Sequence, residues 1–307
     1  MTARRRFRLV DVFAEGPFTG NPLAVFPEAG GLDAESMRRI ASEMGHAATA
    51  FLFPPASKEA EFLLRIFSRE REIPFAGYPA LGAHFVRALE SGRTLEEPVT
   101  RAKHETPSGT FEVEMRVEKG AIVLLRLPQR PPELSPRLNA EEIAAVAEAL
   151  SLEEKDIEAA NQPVRVVSTG LPALLVPVAT LKTLESARPR FNLLRRVLEG
   201  REATLVYAFT KETVDPRAAA QARAFDVLTA SEIPGAGAAA GALAAYLVSH
   251  SAVTVLPTTS LTIEQGHFLR RPSRLFLEVH VRDRKVARVI LGGRVVAVGE
   301  GWLGSGL

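Results

Sequence analysis

Residues 223–237 read RAFDVLTASEIPGAG, and residues 65–77 read RIFSREREIPFAG. Each stretch runs Arg-x-Phe, then Glu-Ile-Pro, then Ala-Gly at the mouth of an Ala-rich segment. The Glu-Ile-Pro triplets begin at Glu72 and Glu232, 160 residues apart in a chain of 307. An offset near half the length is what two related halves produce. The echo predicts a duplicated α+β fold of two similar halves. The Pro-rich connector PQRPPELSPR (128–137) divides it into 1–129 and 130–307, and the last strand is free to cross back to the first half. The two helix N-termini are expected to face each other across a cleft.

The surrounding pattern is mixed rather than a strict βαβ alternation. FRLVDVF (7–13), PLAVFP (22–27), TAFLFPP (49–55) and EFLLRIF (61–67) have strand character, and GTFEVEMRVEKGAIVLLRLP (109–128) is a hairpin turning at Lys119–Gly120. Asp33 is placed to cap a helix running to Met44, and PALGAHFVRALE (79–90) is a second helix with proline in its first turn. In the second half, EEIAAVAEAL is helical, and PVRVVSTGLPALLVPV holds two strands about a turn. ATLVYAFT (203–210) and AVTVLP (252–257) are strands either side of the glycine-rich helix at 235–249. Residues 273–303 close the chain as a hairpin turning near Arg284.

The segment GAGAAAG (235–241) has the spacing G-x-G-x-x-x-G, which invites a dinucleotide reading. That reading needs a strand running directly into the first glycine and a following strand that ends in an acidic residue. Here Ser231–Pro234 intervene, and AVTVLP ends in Pro-Thr-Thr. A helix start of this kind still offers free N–H groups and a partial positive charge, which suit a small carboxylate.

Composition removes several function classes. Lys and Arg total 38 against 36 acidic residues, a net charge of +2, so there is no footprint for nucleic acid or an anionic membrane. The basic cluster RRRFR (4–8) is expected to be a short solvated arm entering the first strand. With no cysteine, disulfides, thiolate catalysis and Cys-ligated metals are excluded. The histidines His104, His250, His267 and His280 show no ligand spacing, so no metal is expected. The uncharged run between Glu232 and Glu264 contains two prolines and reads as a buried helix and strand rather than a membrane span. No secretory signal is visible at the start, which points to a cytoplasmic protein.

The motifs DVFAEGPFTGNPLAVF (11–26), TAFLF, EIPFAGYPALGAH (72–84), STGLPALLVP (168–177), GAAAGALAAYL (237–247), IEQGHFLRRPSRL and GGRVVAVGEG resemble the phenazine-biosynthesis (PhzF-like) isomerases, in order and over nearly the whole chain. The resemblance implies the diaminopimelate-epimerase-like fold, in which each half is a mostly antiparallel sheet wrapped around a central helix, together with a homodimer, no cofactor and a small organic acid as ligand. It also implies acid/base residues that this chain lacks. The family's Ser-Glu-Thr is Ala47-Ala48-Thr49 here, and its Gly-His-Pro is Gly77-Tyr78-Pro79. Its Glu-Asp-Pro-Ala-Thr-Gly-Ser is Glu232-Ile233-Pro234-Gly235-Ala236-Gly237-Ala238.

The catalytic Glu, His, Asp and Ser positions thus hold Ala48, Tyr78, Ile233 and Ala238. Ala48 and Ile233 cannot exchange protons, and a phenol is a poor base at neutral pH. Asn21, Gly77, Tyr78, Gly237 and Ala238 remain as substrate-binding positions. Glu72, Glu232 and His46 are the candidates for a relocated acid/base, each with a plainer role as an exposed or packed polar residue. His84 is expected on a helix flank, and Ser168–Thr169 as turn residues. Three functions follow: a binding protein with impaired or absent family chemistry, an active isomerase with a relocated acid/base, and an NAD(P)-binding oxidoreductase.

Overall fold

The alternating stretch at the start of the chain forms β1 (Arg5–Val12) in a computed structural model that describes residues 4–74, 77–92 and 94–304. Phe75 and Ala76 of EIPFAGYP lie outside the described residues. The chain divides into two compact units, one running through Leu127 and resuming at Gly292, the other spanning Pro128–Leu291.

In the first unit β1 is followed by β2 (Asn21–Phe26), α1 (Ala34–Met44), β3 (Thr49–Phe53), β4 (Phe62–Phe67) and β5 (Glu72–Ile73). Then come α2 (Gly77–Ser91), β6 (Val99–Thr106), β7 (Gly109–Glu118) and β8 (Ala121–Pro128). Asp33 caps α1 by accepting from the Ser36 N–H at 2.8 Å, and Gly45 ends that helix in the left-handed conformation. The pairings are antiparallel except β2–β3 and β4–β6, which are parallel.

The second unit contains β9 (Glu133–Arg137), α3 (Ala140–Leu150), α4 (Glu154–Glu158), β10 (Arg165–Ser168), β11 (Ala173–Pro177), α5 (Leu181–Ser186) and α6 (Phe191–Leu198). It continues with β12 (Leu205–Thr210), β13 (Ala220–Asp226), β14 (Ser231–Ile233), α7 (Gly237–Ser249), β15 (Thr258–Gln265), β16 (Ser273–Arg282) and β17 (Lys285–Gly293). Here too the pairings from β9 through β16 are antiparallel except two, β11–β12 and β13–β15. Strands β10 to β15 repeat the pairing order and direction of β1 to β6. The final strand, β18 (Val295–Leu303), belongs to the first unit and pairs antiparallel with β1.

The repeat places α7 where α2 stands in the first unit. Helix α2 touches β1, β2, β3, β4, β7 and β18, and α7 touches β10, β11, β15 and β16. A helix surrounded by a sheet must be apolar on every side. In α7 the residues from Ala239 to Val248 are all buried. Close approach also requires small residues: a Cβ on Gly82 of α2 would fall 2.4 Å from Leu23 of β2. Among the described residues no helix is long and apolar enough to cross a membrane.

Four expectations need correction. The arm at 4–8 is not free, because Arg6 and Arg8 lie in β1 and pair with Glu90 at 3.0 and 2.7 Å and with Glu300 at 2.6 and 2.9 Å. The connector at 128–137 ends in strand β9, since Leu134 and Arg137 pair with β10 while Pro136 sits where no ladder donor is required. Residues 252–256 form no strand; Val255 and Leu256 are exposed, and pairing begins only after Pro257. Finally, His84 is buried rather than flanking. Its Nε2 lies 2.9 Å from Nδ1 of the equally buried His104 of β6, which stacks between Phe62 and Phe111.

Burial lowers the His104 pKa from 6.5 to about 4, because the apolar surroundings disfavour the imidazolium. The unfolded chain therefore takes up this proton first as pH falls. Stability from this group is complete above about pH 6.5 and is lost between there and pH 4, by about 3 kcal/mol. Urea unfolding at pH 7.5 and 4.5 should show a smaller acid loss in His104→Gln than in wild type. Equal losses in the two proteins would contradict the assignment.

Candidate functional site

The repeated motif forms the same local structure in both units. In the first, β4 and β5 pair with Phe67 opposite Glu72, and Arg65 grips Glu72 with two bonds of 2.7 Å. In the second, β13 and β14 pair with Phe225 opposite Glu232, and Arg223 grips Glu232 at 3.0 and 2.7 Å. Each guanidinium lies over the phenylalanine two residues on, 5.2 Å from the Phe67 ring and 4.9 Å from that of Phe225. Arg223 also donates to the carbonyls of Leu184 and Ala187 at 3.0 and 2.8 Å.

Glu72 and Glu232, named above as relocated acid/base candidates, are thus neither free carboxylates nor loop-amide acceptors. They are tied to arginines at the foot of the central helices. His46 is half-buried after α1 and engaged in contacts of its own.

At the start of α2, Gly77 is buried and Tyr78 turns its phenol oxygen inward, where it is buried. The neighbouring Ala48 backbone N–H favours the phenolate, without reaching ordinary hydrogen-bond geometry. Burial is the stronger effect and pushes the phenol well above its usual value. Tyr78 is therefore a neutral donor at physiological pH. Ala48 is itself buried, so positions 48 and 78 meet as a methyl group and a protonated phenol. Asn21 is buried at the first residue of β2, opposite Val12.

The start of α7 is built differently from those of α1 and α3. Asp33 and Asn139 cap α1 and α3 through their side chains, whereas Ala236 gives α7 no side-chain cap. Support comes instead from residues distant in sequence. Gln129 donates to the Gly237 carbonyl at 3.0 Å, and the Thr169 hydroxyl lies 2.7 Å from the Gln129 side-chain oxygen and 3.2 Å from the Ala238 carbonyl. A Cβ on Gly241 would fall 1.7 Å from the Gln129 side-chain oxygen, so glycine is what admits that amide. Ile233 and Ala238 are half-buried at this end.

Ser168 serves the expected turn role, accepting from the Gly170 N–H at 3.1 Å where Gly170 has φ 133°. Thr169, expected only as a turn residue, supports the α7 start as well, and Gln129, Gln265 and Tyr207 escaped the sequence reading. Their one signal was scarcity: the chain has four glutamines, and two of them contact the approach to α7. A separate open depression of about 560 Å³, lined by Arg130, Ser135, Ser168 and Arg201 among others, contains none of the candidate residues.

A family profile described as phenazine biosynthesis-like protein matches residues 10–301. The chain belongs to this family. An uncharacterized isomerase of Mesorhizobium japonicum is 32% identical over 97% of this chain and 98% of its own. The trans-2,3-dihydro-3-hydroxyanthranilate isomerase of Pseudomonas chlororaphis is 28% identical over 95% and 97%. The crystal structure of a PhzF-family phenazine biosynthesis protein from Bacillus anthracis superimposes with a TM-score of 0.86 at 25% identity, over 98% of this chain and 99% of that one. The duplicated α+β fold is the fold of the PhzF-like isomerases and epimerases.

Within this PhzF-like frame the two Arg–Glu pairs differ in burial, and their worth should differ with it. The Arg223 and Glu232 side chains are 8% and 12% exposed, against 25% and 29% for Arg65 and Glu72. Breaking a buried pair strands a charge and costs about 3–5 kcal/mol, whereas a partly exposed pair is worth about 1 kcal/mol or less. Urea denaturation should find Glu232→Gln far more destabilised than Glu72→Gln. The reverse order would remove the structural role assigned to Glu232.

Proposed function

We propose that this PhzF-like chain binds a small organic acid at its glycine-headed helix starts, with the family's proton-transfer chemistry impaired or absent. The meeting of Ala48 with the buried Tyr78 phenol carries this reading. By family resemblance those two positions hold a Glu and a His, and neither group present can take a proton from carbon at neutral pH. General acid–base assistance is worth roughly 10²–10⁴-fold, so its loss leaves at most a slow reaction. Binding needs less: N–H groups free of a side-chain cap at α7, and a phenol able to donate at α2, both suit a carboxylate. The apolar character of Ala48, Ile233 and Ala238 favours an aromatic or aliphatic acid over a polyhydroxylated one.

The alternative of a relocated acid/base is weakened by the ion pairs that engage Glu72 and Glu232. We carry the family's homodimer into the proposal, together with a cytoplasmic location and the absence of a cofactor.

The test is deuterium incorporation from solvent into trans-2,3-dihydro-3-hydroxyanthranilate, the compound named for the Pseudomonas chlororaphis relative. Wild type should exchange no faster than about one hundredth of the rate of an active relative. Ala48→Glu alone should gain little, because a carboxylate at this buried position has its pKa raised toward the neutral form. Adding Tyr78→His, Ile233→Asp and Ala238→Ser should raise exchange by more than the single changes combined. Rapid exchange by wild type, abolished by Tyr78→Phe or His46→Ala, would overturn the proposal in favour of the relocated catalyst.

A further inference from the structure

Strand alternation at the start of β15 turns Thr258 and Ser260 outward and buries Thr259 between them. Along β16 the same rule buries Leu277 and Val279 and turns Glu278 and His280 to the outer face. The register sets Thr258 opposite His280 and Ser260 opposite Glu278. The Val281 N–H donates to the Pro257 carbonyl at 2.9 Å, so the next pair, Thr258 with His280, is of the non-hydrogen-bonded kind. In such a pair the side chains stand closest and the backbone N–H groups point away from the partner strand.

The Thr258 hydroxyl lies 3.3 Å from Nδ1 of His280. On the other side of the ring, Oε1 of Glu278 is 2.7 Å from Nε2, an ion-pair approach rather than an aligned hydrogen bond. A lone pair on Nε2 would be repelled by that carboxylate. Nε2 therefore carries the ring proton, and Nδ1 is left to accept from the Thr258 hydroxyl. Hydroxyl, imidazole and carboxylate stand in the order in which a base takes a nucleophile's proton and a negative charge steadies the imidazolium.

The surroundings supply two more parts. Strand β13 runs beside β15 only from Ile263 to Gln265, so the Thr258 N–H opens on an edge with no partner among the described residues. A nucleophile's own N–H is one of the donors that can hold the oxyanion formed by its attack. Val255 and Leu256 stand exposed just before Thr258, on a turn that Thr259 holds by accepting from the Leu256 N–H at 3.0 Å. They offer apolar surface to an acyl chain. Thr258 is itself exposed, and His280 and Glu278 are partly so, which lets an ester reach them.

We propose that Thr258, His280 and Glu278 form a reactive site on the outer face of the β15–β16 hairpin that accepts an acyl group from an activated carboxylic ester. The Thr258 oxygen attacks the ester carbonyl carbon while Nδ1 of His280 takes its proton. The tetrahedral oxyanion collapses, the bond from carbon to the leaving oxygen breaks, and the acyl group stays on Thr258 as an ester. The leaving alcohol takes the proton from Nδ1, or departs as the anion when it is as acidic as a nitrophenol. Water, deprotonated by the same nitrogen, then releases the carboxylic acid and restores the hydroxyl. No group at the helix starts takes part, so this site is independent of the organic-acid reading.

The probe is p-nitrophenyl acetate with the full-length protein. Wild type should release p-nitrophenolate in an initial burst, and peptide mapping by mass spectrometry should find the acetyl group on Thr258. Thr258→Val, similar in shape without the hydroxyl, should lose both the burst and the label. His280→Gln should slow acylation about 100-fold, the low end of what a general base supplies. Glu278→Gln keeps the shape and removes the charge; it should slow acylation about 10-fold without moving the urea midpoint. Ser260→Ala removes an exposed hydroxyl that has no histidine opposite and should acylate like wild type.

No release by wild type above the uncatalysed rate would overturn the proposal. A burst that survives in Thr258→Val would overturn it too, because the imidazole or a lysine would then be the nucleophile. Labelling of Thr258 at the wild-type rate in His280→Gln would overturn it as well, since the hydroxyl would be reacting without its base.

Discussion

A bidentate Arg–Glu pair across a two-stranded bridge sets where each central helix begins. The Arg65–Glu72 and Arg223–Glu232 pairs lock the strand that leads into the helix against the strand before it. A salt bridge of this kind adds little net stability after desolvation, but it is demanding in geometry. It fixes the direction in which the chain leaves the sheet. The helix that follows is enclosed by the sheet, which requires small or apolar residues along its length. The placement of the candidate site follows from that constraint, in both units and by the same means.

The proposed function separates the chemistry at the two helix starts from this common frame. At α2, a methyl group and a neutral phenol stand where the family resemblance implies two proton-transfer groups. At α7, isoleucine and alanine stand where the same resemblance implies an acid and a hydroxyl, beside the Gln265 amide that holds the helix start. In the reading proposed above, hydrogen-bond donors remain at the helix starts, and positions 48, 78, 233 and 238 carry no group that titrates near neutrality. A frame that keeps its donors can still recognise an anion, since recognition needs only aimed N–H and O–H groups. Moving a proton needs a group whose pKa lies near the working pH.

Much of the fold was legible in the sequence, for a physical reason. The Arg-x-Phe and Glu-Ile-Pro echo is the imprint of the paired strands and their ion pair, so seeing it twice amounted to seeing the duplication. Lys119–Gly120 and Asp33 announced their turn and cap because the chemistry involved is local. What escaped was non-local. Residues 252–256 have strand-like composition but no neighbouring strand to pair with, and no local pattern reports that. His84 and His104 are 20 residues apart and meet only because α2 packs on the sheet. Gln265 and Gln129 reach the α7 start from other strands and connectors, so only their rarity hinted at a role. The substituted positions 48, 78, 233 and 238 were visible through the resemblance alone; nothing in their own spacing marks them.

The protonation state of Tyr78 tests the central claim most directly, because it separates a donor from a base. The chain has three tyrosines, so ¹³Cζ-labelled tyrosine gives three NMR signals, and Tyr78→Phe identifies the one that matters. The account predicts that this signal stays at the protonated position from pH 6 to pH 11, beyond the ordinary phenol value of about 10. Titration of Tyr78 below about pH 9 would contradict it. A phenol that ionises so easily beside Ala48 can act as a base, and the loss of proton-transfer chemistry would no longer follow.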